Sequence, residues 1–281
     1  MKKRLWLSLL VLITLGGLLS GCGVTVGERA NNVDNWHRIE KRGYAIVGLD
    51  DTFVPMGFRE KSGRLVGYDV DLARAVFKLY GLKVSFQTID WSMNATELNN
   101  GTIDAIWNGY SKTPEREKVV AFSDTYLQND QTLVSLRKNN ITSFQQMAGK
   151  TLGAQTGSSG ANDISAYPKL LKNRIKGQSP VLYDSFTNAF IDLNANRIQG
   201  MIIDSTYAGY YVKHQKNPAA YRIINGQFPK EEFGVGLRKS DHTLKAKINA
   251  GLKTLAQNGT LAKINHKWFG NAADSPLLHQ K

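Results

Sequence analysis

The chain predicts an α/β fold with mainly parallel sheets, built in two successive series. Three observations carry this expectation. Short runs rich in β-branched and aromatic residues alternate with longer runs whose apolar residues recur at helical spacing. The alternation restarts after Gln131 to Arg137. About 260 residues follow an apolar leader, more than a typical single domain and enough for two lobes that each bury a core.

The leader comes first. Met1-Lys2-Lys3-Arg4 is a positive segment, Leu5 to Leu18 carries no charge, and Leu19-Ser20-Gly21-Cys22 places small residues before the chain's single cysteine. This is secretory-signal architecture, and the run resembles the lipobox of bacterial lipoproteins. The resemblance implies removal of residues 1–21 and a diacylglycerol on the Cys22 thiol, which would hold the body at the outer face of the cytoplasmic membrane. The rival reading is a spanning helix ending at a chance cysteine, but the apolar run is shorter than the ~20 residues a span needs. Residues 22–35 are polar and read as a tether.

From Gly43 onward the elements follow in order. Tyr44 to Gly48 predicts a strand. Tyr68 to Tyr80, apolar at Val70, Leu72, Ala73, Val76, Phe77 and Tyr80, predicts an amphipathic helix closed by Gly81. Lys83 to Ile89 alternates as a strand, a short helix is expected over Met93 to Asn99, and Ile103 to Trp107 is the next strand. Thr113-Pro114-Glu115 opens a helix with a cap, a proline in the first turn and an acid near the positive end. After Gln131 to Arg137 the second series comprises strands at Thr151 to Ala154, Val181 to Tyr183 and Met201 to Ile203, with a helix over Phe186 to Asn196. Phe233 to Arg238 is β-like, and two helices, Thr243 to Gln257 and Leu261 to Trp268, flank Gly259.

Composition excludes several chemistries. One cysteine at the lipobox leaves none for a disulfide or a thiol nucleophile, and the five histidines, His37, His214, His242, His266 and His279, lack metal-ligand spacing. Gly157-Ser158-Ser159-Gly160 lacks the spacing of a nucleophile elbow, so no catalytic residue, metal or cofactor is expected. The formal charge of +13 includes Lys2, Lys3 and Arg4 of an acid-free leader, leaving +10 for the remainder. That charge is spread, with no Lys/Arg block longer than two, which argues against nucleic acid. It suits anionic headgroups or wall polyanions, and equally a solvated surface.

Chemistry first shows between Ile103 and Arg116. A strand runs into a turn of small polar residues and then a helix, gathering amides, a hydroxyl and a guanidinium where a carboxylate would fit. Ligands in open α/β sheets bind at such carboxyl ends, and Arg116 can hold a carboxylate through two parallel bonds. Taken alone, Arg116 also reads as a solvated first-turn residue.

The runs Gly48 to Met56, Gly67 to Ala73 and Ser111 to Arg116 resemble the polar amino-acid family of extracellular solute-binding proteins of ABC importers. Gly149 to Gly153, Arg197 to Asp204, Phe233 to Lys239 and Asn258 to Gly270 resemble that family too, in the same order, over roughly residues 36 to 270. The resemblance implies a two-lobed periplasmic-binding-protein-like fold of type II, two mainly parallel sheets joined by two hinge strands, with the ligand in the cleft. The crossings are placed near Gln128 to Gln131 and Ile224 to Gln227. Lobe 1 is then 36–129 with 226–270, lobe 2 is 130–225, and 271–281 is a polar tail.

Carried over residue by residue, Arg116 matches the arginine that grips the ligand carboxylate, and Ser111 the hydroxyl residue that helps hold it and the amine. Asp204 matches the acid that pairs the ammonium. Ser158 and Ser159 match the turn whose amides complete the carboxylate site at a helix N-terminus. Phe53 and Trp91 match flanking walls, Asp50 a position that reaches the polar end of the ligand side chain, and Asn108 and Gly109 residues that meet the ligand. Core packing rivals these roles for Phe53 and Trp91, a turn cap for Asp50 and a helix cap for Asp204. Tyr110 departs from the smaller apolar residue usual in the family. Asp69 and Asp71 read as a dipole-favoured cap and a solvated face.

The resemblance implies a lipid-anchored monomer that binds a polar L-amino acid, glutamine or a basic one favoured with cystine left open, and partners an ABC permease and ATPase. A dehydratase-type enzyme on the same fold and a surface sensor or adhesin are the competing readings.

Overall fold

A computed structural model describes residues 30–270 and 275–279. The leader and Cys22 lie outside the described residues. Two five-stranded sheets form the frame. The first runs in the order Lys83–Thr88, Tyr44–Leu49, Ala105–Ile106, Gly236–Leu237, Ala121–Phe122; the second runs Val181–Tyr183, Leu152–Gln155, Gly200–Asp204, Gln131–Leu136, Tyr221–Ile224. The first three strands of each are parallel, and the fourth is antiparallel to both its neighbours.

The sheets are therefore mixed, with one reversed strand apiece. In each sheet the reversed strand is the first one formed after the chain arrives from the other sheet. It enters without the helical crossover that a parallel neighbour requires. The passages between sheets meet as a short antiparallel ribbon, Leu127–Asn129 against Glu231–Phe233. The second passage thus falls later than the expected Ile224 to Gln227, because Tyr221–Ile224 is still an edge strand of the second sheet.

Alternation along the strands buries both faces of both sheets. Ala45 and Val47 join one cluster with Leu72, Val76, Ile248 and Leu261 from the helices Tyr68–Lys78, His242–Gln257 and Thr260–Phe269, while Ile46 packs on the opposite cluster of Ile103, Ile106 and Tyr110. Val134 and Met201 likewise face away from Leu133 and Ile202. Sheets covered on both faces bring their strand ends, rather than their faces, to a ligand.

Two outer segments belong to the body. Ala30 and Asn35, at the end of the expected tether, are buried, and the Asn35 amide donates to Asp241 Oδ1 at 2.8 Å and to the Ala30 carbonyl at 2.9 Å. In the expected tail, Ser275 Oγ donates to the Tyr126 carbonyl at 2.8 Å and Leu277 is buried. Beneath Asn35 lies a buried ion cluster. Arg238, fully buried, donates to the carbonyls of Leu98 and Ile103 at 2.9 and 2.6 Å, and its Nε sits 2.7 Å from Asp241 Oδ2. Asp104 closes it, 3.6 Å from Arg238 and 3.3 Å from Arg38.

Candidate functional site

Four parallel strands end at one place between the sheets. Tyr44–Leu49 runs into Asp50, Ala105–Ile106 into Asn108 and Gly109, Leu152–Gln155 into Gly157 and Ser158, and Gly200–Asp204 ends on its own acid. Asn108 ties the first two ends, its Oδ1 accepting from the Asp50 backbone amide at 3.0 Å. Gly109 has φ +56°, and a Cβ there would lie 2.8 Å from the Phe53 ring, so the turn requires glycine.

Behind that turn, Asp69 corrects an expectation. It is fully buried, and its Oδ2 accepts from the Gly109 amide at 2.6 Å and the Tyr126 hydroxyl at 2.9 Å. Burial pushes its carboxyl up to about 7, against the pull of those bonds. Asp69 thus supports the Gly109 turn rather than serving as an outer cap. Asp71 accepts from Lys267 Nζ at 2.6 Å and the Trp268 indole at 2.9 Å.

Arg116 sits in the single turn Pro114–Glu117, and its own backbone amide donates to the capping Thr113 Oγ1 at 3.3 Å. It is 8% exposed, which rules out a solvated residue. Its guanidinium donates to the Ser111 carbonyl at 2.9 Å and, across the gap, to the Gly157 carbonyl at 3.1 Å. It lies 4.2 Å from the centroid of the Tyr110 ring, which also stacks on Phe122 and meets Trp91 edge-on. Tyr110 is therefore the platform beneath the guanidinium, and Trp91 belongs to the cluster that supports it. An arginine fork has five donors; two are used here, so a carboxylate can take others.

From the second sheet, Ser158 caps the helix Ser159–Ala166, its Oγ accepting from the Ala161 amide at 3.1 Å and donating to the Gln155 carbonyl at 2.8 Å. Ser159 Oγ lies 3.2 Å from Ser111 Oγ of the first sheet. Gln155, which the sequence reading missed, reaches across with its Nε2 to Asp50 Oδ2 at 2.9 Å. The other Asp50 oxygen accepts from the Thr52 amide and hydroxyl at 2.9 and 2.7 Å, so the turn-cap role is also real. Burial raises the Asp50 carboxyl, partly offset by the Thr52 and Gln155 bonds. Phe53, also from the first sheet, packs 5.8 Å from Phe186 and 5.3 Å from Tyr207 of the second.

Asp204 does not cap the helix Ser205–Lys213 with its side chain. Its Oδ1 accepts from Asn129 Nδ2 at 2.6 Å and Gln131 Nε2 at 2.9 Å. Glu231, a second acid that the sequence reading missed, accepts at Oε2 from the same two nitrogens, each at 3.0 Å, and from Ser111 Oγ at 2.7 Å. Burial, then the Glu231 charge, push the Asp204 carboxyl well above the usual range. The carboxyl-end rule could have pointed to Gln155. Glu231 follows Lys230 and precedes Glu232, and nothing in that charged run separates it from a solvated surface.

The arrangement places one cation and three acids, all largely buried, where four strand ends meet. A cavity of about 1220 Å³ adjoins this network at Asn129, beside the crossing ribbon, and is lined by Tyr210, Lys213, Lys230, His266 and Trp268 among others. Among the described residues, no cluster of three His, Cys, Asp or Glu side chains could hold a metal ion, and no helix is long and apolar enough to cross a membrane.

Residues 45–271 match the model of a family described as bacterial extracellular solute-binding proteins, family 3. The L-cystine-binding protein TcyJ of Escherichia coli is 28% identical over 236 residues, 83% of this chain and 85% of that protein. The arginine-binding extracellular protein ArtP of Bacillus subtilis is 29% identical over 273 residues, 96% of this chain and 98% of its own. Among solved structures, a histidine-bound ABC uptake transporter substrate-binding protein from Streptococcus pneumoniae superposes with a TM-score of 0.84. It is 45% identical, over 85% of this chain and 97% of that one. These relatives are named as binding proteins, not enzymes.

Proposed function

Because the chain belongs to the bacterial extracellular solute-binding proteins of family 3, we propose that it captures a polar L-amino acid in the cleft by closing two lobes and delivers it to an ABC importer. The observation that carries this is the facing set at the strand ends: Arg116 and Ser111 from one side meet Gly157 and Ser159 from the other, within reach of the acid network of Asp204. A zwitterion taken out of water requires a matched cation, a matched anion and hydrogen bonds for the rest. Arg116 and the amides around Ser158 and Ser159 take the carboxylate. Ser111 helps hold both the carboxylate and the ammonium, and Asp204 pairs the ammonium. Phe53 and Trp91 flank the side chain, Asn108 and Gly109 meet the ligand, and Asp50 with Gln155 receives its polar end.

An acid at that end favours glutamine or a basic amino acid and disfavours an acidic one. Among the named ligands of similar proteins, arginine and histidine fall within this range, and cystine stays open beside it. The expected lobes, 36–129 with 226–270 and 130–225, meet at a second crossing that falls on Glu231–Phe233, so capture requires the two to approach. A thermal-shift panel of L- and D-amino acids on the protein lacking residues 1–21 tests the reading. A ligand at 100 times its Kd adds about 2.7 kcal/mol, roughly 5–10 °C in Tm for a protein of this size. One or a few polar L-amino acids should give such a shift and their D-enantiomers should not. No shift with any amino acid at millimolar concentration would remove the reading.

Lipid attachment at Cys22 is part of the same proposal, supported by the lipobox-like run Leu19-Ser20-Gly21-Cys22. Two acyl chains hold a protein at a bilayer where one binds only marginally. Cys22→Ala should appear without incorporated labelled fatty acid and should leave the lipid-anchored fraction. Label that persists on the variant would place the anchor elsewhere.

A further inference from the structure

Glu231 is the cleft acid that the reading above leaves without a role. It stands on the crossing ribbon opposite Asn129, largely buried. Its Oε2 and Asp204 Oδ1 share both of their amide donors, Asn129 Nδ2 and Gln131 Nε2, at distances from 2.6 to 3.0 Å. The Ser111 hydroxyl, placed above at both the carboxylate and the ammonium of the ligand, is bonded to Glu231 itself at 2.7 Å. Glu231 therefore sits at the same subsite as Asp204 and is joined to it through two common neighbours.

Resting on the reading of the cleft as an amino-acid site, we propose that Glu231 and Asp204 form one acid pair that receives the ligand ammonium and yields a proton to solvent as it arrives. Two buried carboxylates sharing donors cannot both ionise at ordinary cost, and burial together with the Glu231 charge holds the proton on Asp204. The charged groups facing it keep that balance. Arg116 favours ionisation. Asp163, on the helix Ser159–Ala166, opposes it, and its own carboxyl is raised to about 7 by burial and by Glu231 and Glu115. The entering ammonium brings the charge that lets both acids ionise. It keeps its own protons, one O–H of the pair breaks, and that proton passes to the buffer.

The test is calorimetric titration at pH 7 in phosphate and in Tris, with the amino acid that gives the largest thermal shift. The dependence of the heat on buffer ionisation counts the protons exchanged. The wild type should release protons on binding, and Glu231→Gln should release clearly fewer, burial of Asp204 alone accounting for the remainder, while binding about tenfold more weakly. Glu231→Asp, which keeps the acid, should retain release. Binding without proton release in the wild type would overturn the acid pair and leave the amino-acid reading standing. Release undiminished in Glu231→Gln would assign the proton to Asp204 alone or to Asp163, and overturn the pair as well. Should Glu231→Gln fail to fold, the wild-type count and Glu231→Asp decide the question. Failure of every amino acid to bind would remove both readings.

Discussion

Arg116→Ala should abolish detectable amino-acid binding in calorimetry while the protein keeps its fold. The guanidinium lies over Tyr110 at the cleft and bonds two carbonyls, one on each side, rather than anchoring either core. Truncating one partner of a buried, hydrogen-bonded charge pair costs about 2–5 kcal/mol, or roughly 30-fold to several thousandfold in Kd. Arg116→Lys should recover little of this, because an ammonium can neither form the planar fork nor stack as the guanidinium does. Affinity near that of the wild type in Arg116→Ala would take the residue out of the site.

A comparable loss is expected for Asp204→Asn. The asparagine keeps the shape of the side chain but cannot become the negative charge that an ammonium in a buried subsite requires. Its Oδ1 can still accept from Asn129 and Gln131, so the substitution removes the charge while keeping both of those bonds. Weakening of about 2–5 kcal/mol should be read by the same titration. Unchanged affinity would mean that the ammonium lies elsewhere.

The architecture was legible where periodicity had room to show. Tyr68–Lys78, His242–Gln257 and Thr260–Phe269 carry clear apolar stripes, and the strands around Ile46, Leu133 and Ile202 are dense in β-branched or aliphatic residues. The helix Ser159–Ala166 was not read from its pattern. Its sequence, Ser-Gly-Ala-Asn-Asp-Ile-Ser-Ala, has too few apolar residues for a stripe, and it is fixed by the Ser158 cap and packing on the strand behind it. The three-stranded sheet of Thr52–Phe53, Gly57–Arg59 and Leu65–Val66 was missed because two or three residues show no period.

The site divides in the same way. Arg116, Ser111, Ser158, Ser159 and Asp204 were named through the resemblance, and the structure brings them to the facing strand ends. Trp91 stands beside them, edge-on to Tyr110. Asp69 and Glu231 were misread or missed for a shared reason. An acid in a charged or helix-opening run looks solvated until tertiary pairing buries it, and only the contacts to Gly109 and to Ser111 reveal their positions.

Closure on the ligand is the central claim. Arg116 and Asp204 stand on opposite sides, so a zwitterion that engages both favours the closed arrangement by its differential affinity for it. Small-angle scattering with and without the best-binding amino acid tests this directly. The wild type should show a measurable decrease in radius of gyration at saturation, and Asp204→Asn a smaller decrease at equal ligand concentration. Tight binding by the wild type with no change in radius of gyration would contradict capture by closure.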